Sequence, residues 1–159
     1  MIEIITADLK QTDHQRAVVE LTEAYAQDPT VNGIPLSAEV NRTLVRKLQE
    51  HPTTHILLAY SDDQPVGIAT CFLGFSTFAA RPLLNLHDFA VLAEHRGQGI
   101  GRELMAAVVS MARELGCCKV TLEVDEHNDR ARRLYFAAGF DRADSASQAG
   151  PWQFMTKPV

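Results

Sequence analysis

Residues 86–101 read LHDFAVLAEHRGQGIG, running from Leu86 to Gly101. Leu86, Phe89, Ala90, Val91 and Leu92 make an apolar strand, and Arg96, Gly97, Gln98, Gly99, Ile100 and Gly101 make a glycine-rich turn. Beyond it, Leu104, Met105, Val108, Met111, Ala112 and Leu115 recur at helical spacing. The reading is strand, turn, helix. Three alternate glycines leave no side chains over the turn. Its N–H groups would converge unpaired at the positive end of the helix, a cradle for a pyrophosphate to which Arg96 or Arg102 adds charge.

Two common phosphate motifs fail on these residues. A dinucleotide fingerprint G-x-G-x-x-G meets Arg102 at its last place, and no G-K-[ST] tripeptide follows as a P-loop needs. What fits is R/Q-x-x-G-x-G/A, spelled by Arg96, Gly99 and Gly101. Further on, Asn128, Ala131, Leu134, Tyr135, Gly139 and Phe140 spell N-x-x-A-x-x-L-Y-x-x-x-G-F. The two motifs together resemble those of the GNAT family, the Gcn5-related N-acetyltransferases, over residues 86–140.

That resemblance implies a fold and a set of roles. The fold is a single-domain α/β structure over residues 1–159, a mixed and mostly antiparallel sheet with helices on both faces. Its fourth and fifth strands run parallel and splay apart to admit the pantetheine arm of acetyl-CoA. Arg96, Gly97, Gln98, Gly99, Ile100, Gly101 and Arg102 would hold the pyrophosphate, with Asn128 a helix cap, a cofactor ligand or both. Backbone groups of Phe89, Ala90 and Val91 would pair with pantetheine, and an N–H exposed by a bulge would face the thioester oxygen.

Tyr135 is the expected general acid for the departing thiolate. Ala131, Leu134, Tyr135 and Ala138 also form an apolar helix stripe, so spacing alone equally describes a core tyrosine bonded to backbone. The strand NLHDFAV resembles LEDFFV of the spermidine/spermine acetyltransferase branch, with His87 in the place of Glu and Asp88 in the place of Asp. His87 is therefore the expected base, acting directly or through water, or else a hydrogen-bonded structural histidine.

The whole excess of negative charge lies early. Residues 1–65 carry ten acids against five Lys and Arg, and residues 66–159 carry ten against ten. An acidic first part fits a small cationic amine acceptor, or simply solvated helix faces. Arginines 96, 102, 130, 132 and 133 cluster around the two motifs, where a polyanion would sit. Nucleic acid is not expected of an acidic chain without a basic aromatic face. No apolar run is long enough for a membrane span, and the start MIEIITADLK lacks the features of a secretory signal, so a cytoplasmic location is expected. Three cysteines, two of them adjacent at Cys117 and Cys118, argue against a disulfide framework. His51 and His55 are separated by Pro52 and lack a third ligand, so no metal is expected.

Punctuation gives the remaining elements. A strand at Ile2 to Ile5 precedes a helix capped by Thr12 or Asp13 with Val18, Leu21 and Tyr25 on one face, ending near Asp28 and Pro29. Ser37 caps a second helix with Val40, Leu44 and Leu48 inward, stopped before Pro52. Strands follow at His55 to Tyr60, Val66 to Phe78 and Leu83 to Leu92, the first two joined by a turn at Ser61 to Pro65. The third helix ends at Gly116, a strand spans Lys119 to Val124, and the fourth helix spans Asp129 to Ala138. Arg142 to Ala146 and Trp152 to Lys157 close the chain as a hairpin. The expected activity is acetyl transfer from acetyl-CoA to a small primary amine, in a possible homodimer. The alternatives are a non-catalytic acyl-CoA sensor or an acetyltransferase for protein N-termini or lysines.

Overall fold

The computed structural model describes residues 1–142 and 152–159. Its elements are β1 (Ile2–Thr6), α1 (Thr12–Gln27), α2 (Ala38–Glu50), β2 (Thr54–Ser61), β3 (Gln64–Ser76), β4 (Arg81–Val91), α3 (Ile100–Glu114), β5 (Lys119–Asp125), α4 (Asp129–Ala137), β6 (Asp141–Arg142) and β7 (Trp152–Pro158). Among the described residues the strands form one sheet of seven, in the order β1-β2-β3-β4-β5-β7-β6. Every neighbouring pair is antiparallel except β4 and β5.

That exception positions the site. The parallel pairing of β4 with β5 is confined to Leu84 with Val120 and Asn85 with Thr121, after which the strands part. On its other edge β4 stays paired with β3 as far as Val91 opposite Gly67. The N–H of Leu92 donates to the carbonyl of Val66 at 2.9 Å, which fixes the alternation: main-chain groups of Phe89 and Val91 turn away from β3, into the opening.

One face of the sheet is covered by α1, where Ala17, Val18 and Leu21 pack on Ile56, Leu58 and Ile68. The other is covered by α3, with Leu104, Met105, Val108 and Ala112 against Leu84, Leu86, Val120 and Leu122. Tyr135 and Phe140 join this second core from the α4 side. Burying a large aliphatic side chain is worth about 1.5–3 kcal/mol, so these two layers carry most of the drive to fold.

Local differences from the sequence reading have physical reasons. The cap of α1 is Gln11, one residue before the expected Thr12, and no side chain caps it. Ser37 does cap α2, its Oγ accepting from the Val40 N–H at 3.2 Å. Val40 itself is exposed, because α2 lies against the flank of α1 and buries no residue fully. β3 ends at Ser76 and β4 starts at Arg81, so the hairpin tip falls two residues earlier than expected, at 77–80, and leaves Phe78 in solvent. The expected strand at Arg142 to Ala146 falls mostly outside the described residues; β6 covers Asp141–Arg142. Cys71, Cys117 and Cys118 are free.

Candidate active site

The glycine turn builds the site. Gly97 and Gly99 have φ of +77° and +89°, a left-handed backbone that costs other L-residues about 1–2 kcal/mol. A Cβ built on either would meet nothing within 4 Å, so the turn is open above. Among the described residues, no acceptor takes the N–H groups of Gly97, Gly99, Ile100 or Gly101. Four free donors thus ring the start of a fifteen-residue helix at its positive end. The side chains of Gln98 and Ile100 take no part: Gln98 bonds the Glu94 carbonyl, and Ile100 is buried with Ala59 and Val66. Arg102 stands at the rim.

The turn opens into a cavity of about 320 Å³. Its walls combine four distant stretches of chain: Tyr25, Asp28, Thr30 and Val31 from the end of α1 and the loop after it; Phe89, Ala90 and Val91 from β4; Glu123, Val124 and Asp125 from β5; and Asn128, Arg130, Ala131, Leu134 and Tyr135 from α4 and its cap. Trp152 of β7 and the turn itself, through Arg96, Gly97, Gly99, Gly101 and Arg102, complete it. A Cβ at Gly101 would meet the Leu134 side chain at 3.5 Å, an ordinary van der Waals contact.

Tyr135 forms part of the floor. It is only 6% exposed, its ring set edgewise against Phe89 at 6.1 Å and tilted against Phe140 at 6.0 Å. Among the described residues nothing bonds its hydroxyl. Burial, with some help from Tyr25, pushes its pKa upward from the ordinary phenol value. Tyr25 is pushed up to about 12 by burial and by the charges of Asp88 and Asp28. Both phenols therefore keep their protons at neutral pH.

Asn128 caps α4, its Oδ1 accepting from the Ala131 N–H at 3.2 Å, while it also lines the cavity. Arg96 differs from expectation. Its Nε donates to the Val91 carbonyl at 2.8 Å and its Nη2 to Asp28 Oδ2, so the guanidinium bridges the end of β4 to the end of α1. Asp28 was legible only as a helix end, and its place in the cavity was missed, as were those of Tyr25, Glu123, Asp125 and Trp152.

His87 stands apart from this assembly. The register of β4 on β3 shifts between Thr70 opposite Asp88 and Cys71 opposite Leu86, leaving His87 as the extra residue of a bulge. Its exposed ring packs edgewise on Phe72 at 5.5 Å, and Phe72 meets His51 at 5.0 Å; none of the three lines the cavity. Asp88, next in the chain, is mostly buried. Burial pushes its pKa up and the neighbouring His87 pulls it back.

A mixed sheet whose central parallel pair parts above a glycine turn and a buried tyrosine defines the acetyltransferase class of α/β fold. A profile of the acetyltransferase (GNAT) family matches residues 18–140, and the chain belongs to that family. A thialysine N-epsilon-acetyltransferase of Bos taurus is 33% identical over 111 residues, covering 65% of this chain and 63% of the relative. The chain thus spans about three fifths of that relative. The Sus scrofa protein of the same name is 26% identical over 160 residues, 96% of this chain and 91% of that one. Among solved structures, a probable acetyltransferase superposes with a TM-score of 0.78 at 23% identity, over 93% of this chain and 95% of the other. The PaiA N-acetyltransferase of Thermoplasma acidophilum, in complex with coenzyme A, gives 0.71 at 18% identity over 100% and 99%. At such identities the structural likeness is one of fold. No helix among the described residues is long and apolar enough to cross a membrane.

Proposed function

We propose that this chain transfers an acetyl group from acetyl-CoA to the primary amine of a small molecule, by direct attack in a ternary complex. The observation that carries this reading is the Tyr135 hydroxyl: protonated, without a partner among the described residues and open to the cavity shared by the glycine turn and the parted strands. A tyrosine kept for packing would have its hydroxyl bonded to backbone.

The chain's residues fit acetyl-CoA. The free N–H groups of Gly97, Gly99, Ile100 and Gly101 suit the pyrophosphate, and the open space above Gly97 and Gly99 leaves room for it. Phe89 and Val91 direct main-chain groups into the gap beside β4, where the pantetheine amides can bond as another strand would. An N–H on this edge meets the acyl oxygen as charge develops there. Acetyl-CoA supplies the activated acetyl group. When the acceptor nitrogen bonds to the acyl carbon and the carbon–sulfur bond breaks, Tyr135 gives its proton to the departing sulfur, and the second proton that the nitrogen sheds as the amide forms restores the phenol.

The acceptor must lose a proton first. An alkylammonium with pKa about 10.4 is almost wholly charged at pH 7, a deficit of roughly 4 to 5 kcal/mol. His87, outside the cavity wall, takes that proton through water, with Asp88 beside it. Glu123 and Asp125 are acidic residues among those that line the cavity, which favours a cationic acceptor. The bovine and porcine relatives, whose names give thialysine as acceptor, support a small amine. Screening amino acids, diamines and short peptides for acetyl-CoA-dependent release of CoA tests the proposal. Small cationic amines should be preferred; turnover confined to peptides would overturn the acceptor assignment, and no turnover with any amine would favour the sensor.

A further inference from the structure

The arginine that opens the glycine turn is joined to a carboxylate 68 residues earlier in the chain. Asp28 ends α1, and its backbone carbonyl accepts from Val31 and Gly33 while its Oδ1 accepts from Thr30 N at 2.9 Å and Thr30 Oγ1 at 2.7 Å. The loop after α1, which lines the cavity through Thr30 and Val31, is folded around this one residue. Its Oδ2 accepts from Arg96 Nη2 and lies 4.0 Å from Arg130 Nη2, with the Asp28 side chain 10% exposed. Arg96 is held in turn by the Val91 carbonyl. An unbroken chain of contacts therefore runs from this loop, through one carboxylate and one guanidinium, to the edge of β4 and the phosphate turn.

A carboxylate is an odd lining for a polyanion site. Burial opposes its ionisation, but the Thr30 hydroxyl and amide and the Arg96 guanidinium outweigh that and hold its pKa at about 2. It stays negative at any working pH. It spends the charge of Arg96, and part of that of Arg130, which otherwise face the same cavity as the glycine cradle.

We infer that the loop after α1 meets the acceptor, and that Asp28 is a positioning residue that latches this loop to the acetyl-CoA cradle through Arg96, at the expense of cofactor affinity. The inference assumes that the cradle takes acetyl-CoA. Removing the Asp28 charge should then have two effects of opposite sign. The loop loosens, so the acceptor binds less well. Arg96, still held through Nε by Val91, and Arg130 are both unmasked toward the phosphates, so CoA binds more tightly. A purely structural residue would weaken both.

The test uses Asp28→Asn in the full chain, with calorimetric titration of CoA and steady-state kinetics of the best acceptor. CoA affinity should rise about three- to tenfold, as expected for freeing one or two partly screened charges, with a steeper salt dependence than the wild type. The acceptor KM should rise and the kcat change less. Thr30→Val is the control, since it loosens the same turn and leaves the charge, and it should raise the acceptor KM without tightening CoA. If Asp28→Asn shows no cooperative melt, Asp28→Ser, which keeps an oxygen for the Thr30 amide, serves the same comparison. CoA binding unchanged or weakened in the folded variant overturns the latch and leaves the cradle assignment standing. Absence of CoA binding by the wild type overturns the cradle assignment, and the latch with it.

Discussion

Tyr135→Phe removes one oxygen and keeps the ring that packs between Phe89 and Phe140. Were the hydroxyl bonded inside the core, its loss would cost about 1 kcal/mol or more. Since no described residue bonds it, the change in stability should stay within about 0.5 kcal/mol, small against the spread of core substitutions. Turnover is another matter. Without the proton the thiolate leaves unaided, and kcat should fall about 10- to 1000-fold, or roughly 1.4 to 4 kcal/mol of barrier. Affinity for acetyl-CoA should hardly change, because the phosphate turn is untouched. The raised pKa of Tyr135 adds a pH signature: any alkaline fall in wild-type kcat due to this residue should lie above the ordinary phenol value of 10.0. Thiol release followed with a chromogenic reagent, beside thermal melting and titration of acetyl-CoA, separates the three effects. A variant with full turnover and a lowered melting temperature would refute the reasoning and return Tyr135 to the core.

Gly99→Asp forces an L-residue to φ +89° and puts a carboxylate at the open cradle, so a folded variant should lose acetyl-CoA affinity severely, as measured by calorimetry. His87→Ala should lower turnover more than acetyl-CoA affinity, with a deficit that shrinks as pH rises and more acceptor is neutral; His87→Gln should be no better, and unaltered kinetics across pH would remove His87 from the mechanism. Asp28 has a folded pKa of about 2 against an ordinary 3.8, so its contribution to stability, on the order of 2 kcal/mol, is present above pH 4 and lost as pH falls through 2. Acid unfolding of Asp28→Asn should therefore be shallower in that window. Added salt should raise the KM of a cationic acceptor more than that of a neutral one, if Glu123 and Asp125 attract it.

The two motifs were legible because each is local. A strand, a run of glycines and a helix start define an anion cradle within sixteen residues, 86–101, whatever the rest of the chain does. The capping role of Asn128 follows from the same kind of short-range geometry. Tyr25, Asp28, Glu123 and Trp152 were not legible as site residues, because only the sheet order brings α1, β5 and β7 to one opening. His87 shows a different difficulty. Simple alternation puts it in phase with Phe89 and Val91, which line the cavity, but the bulge shifts the phase and turns its ring toward Phe72 on the α1 and α2 face. Arg96 was recognised as part of the turn, yet its partner Asp28 lies 68 residues earlier and no spacing rule connects them.

The central claim is direct transfer of an acetyl group within this cavity, and a single-turnover experiment with acetyl-CoA labelled in the acetyl group tests it most closely. The enzyme, in excess over labelled acetyl-CoA, is mixed with the best small amine from the screen and quenched on the timescale of one turnover, and the label is located by mass spectrometry. The label should pass to the amine as an amide, with an equal amount of free CoA and none on the protein. Label retained on a cysteine before reaching the amine, or label left on CoA while the protein binds it tightly, would contradict the account.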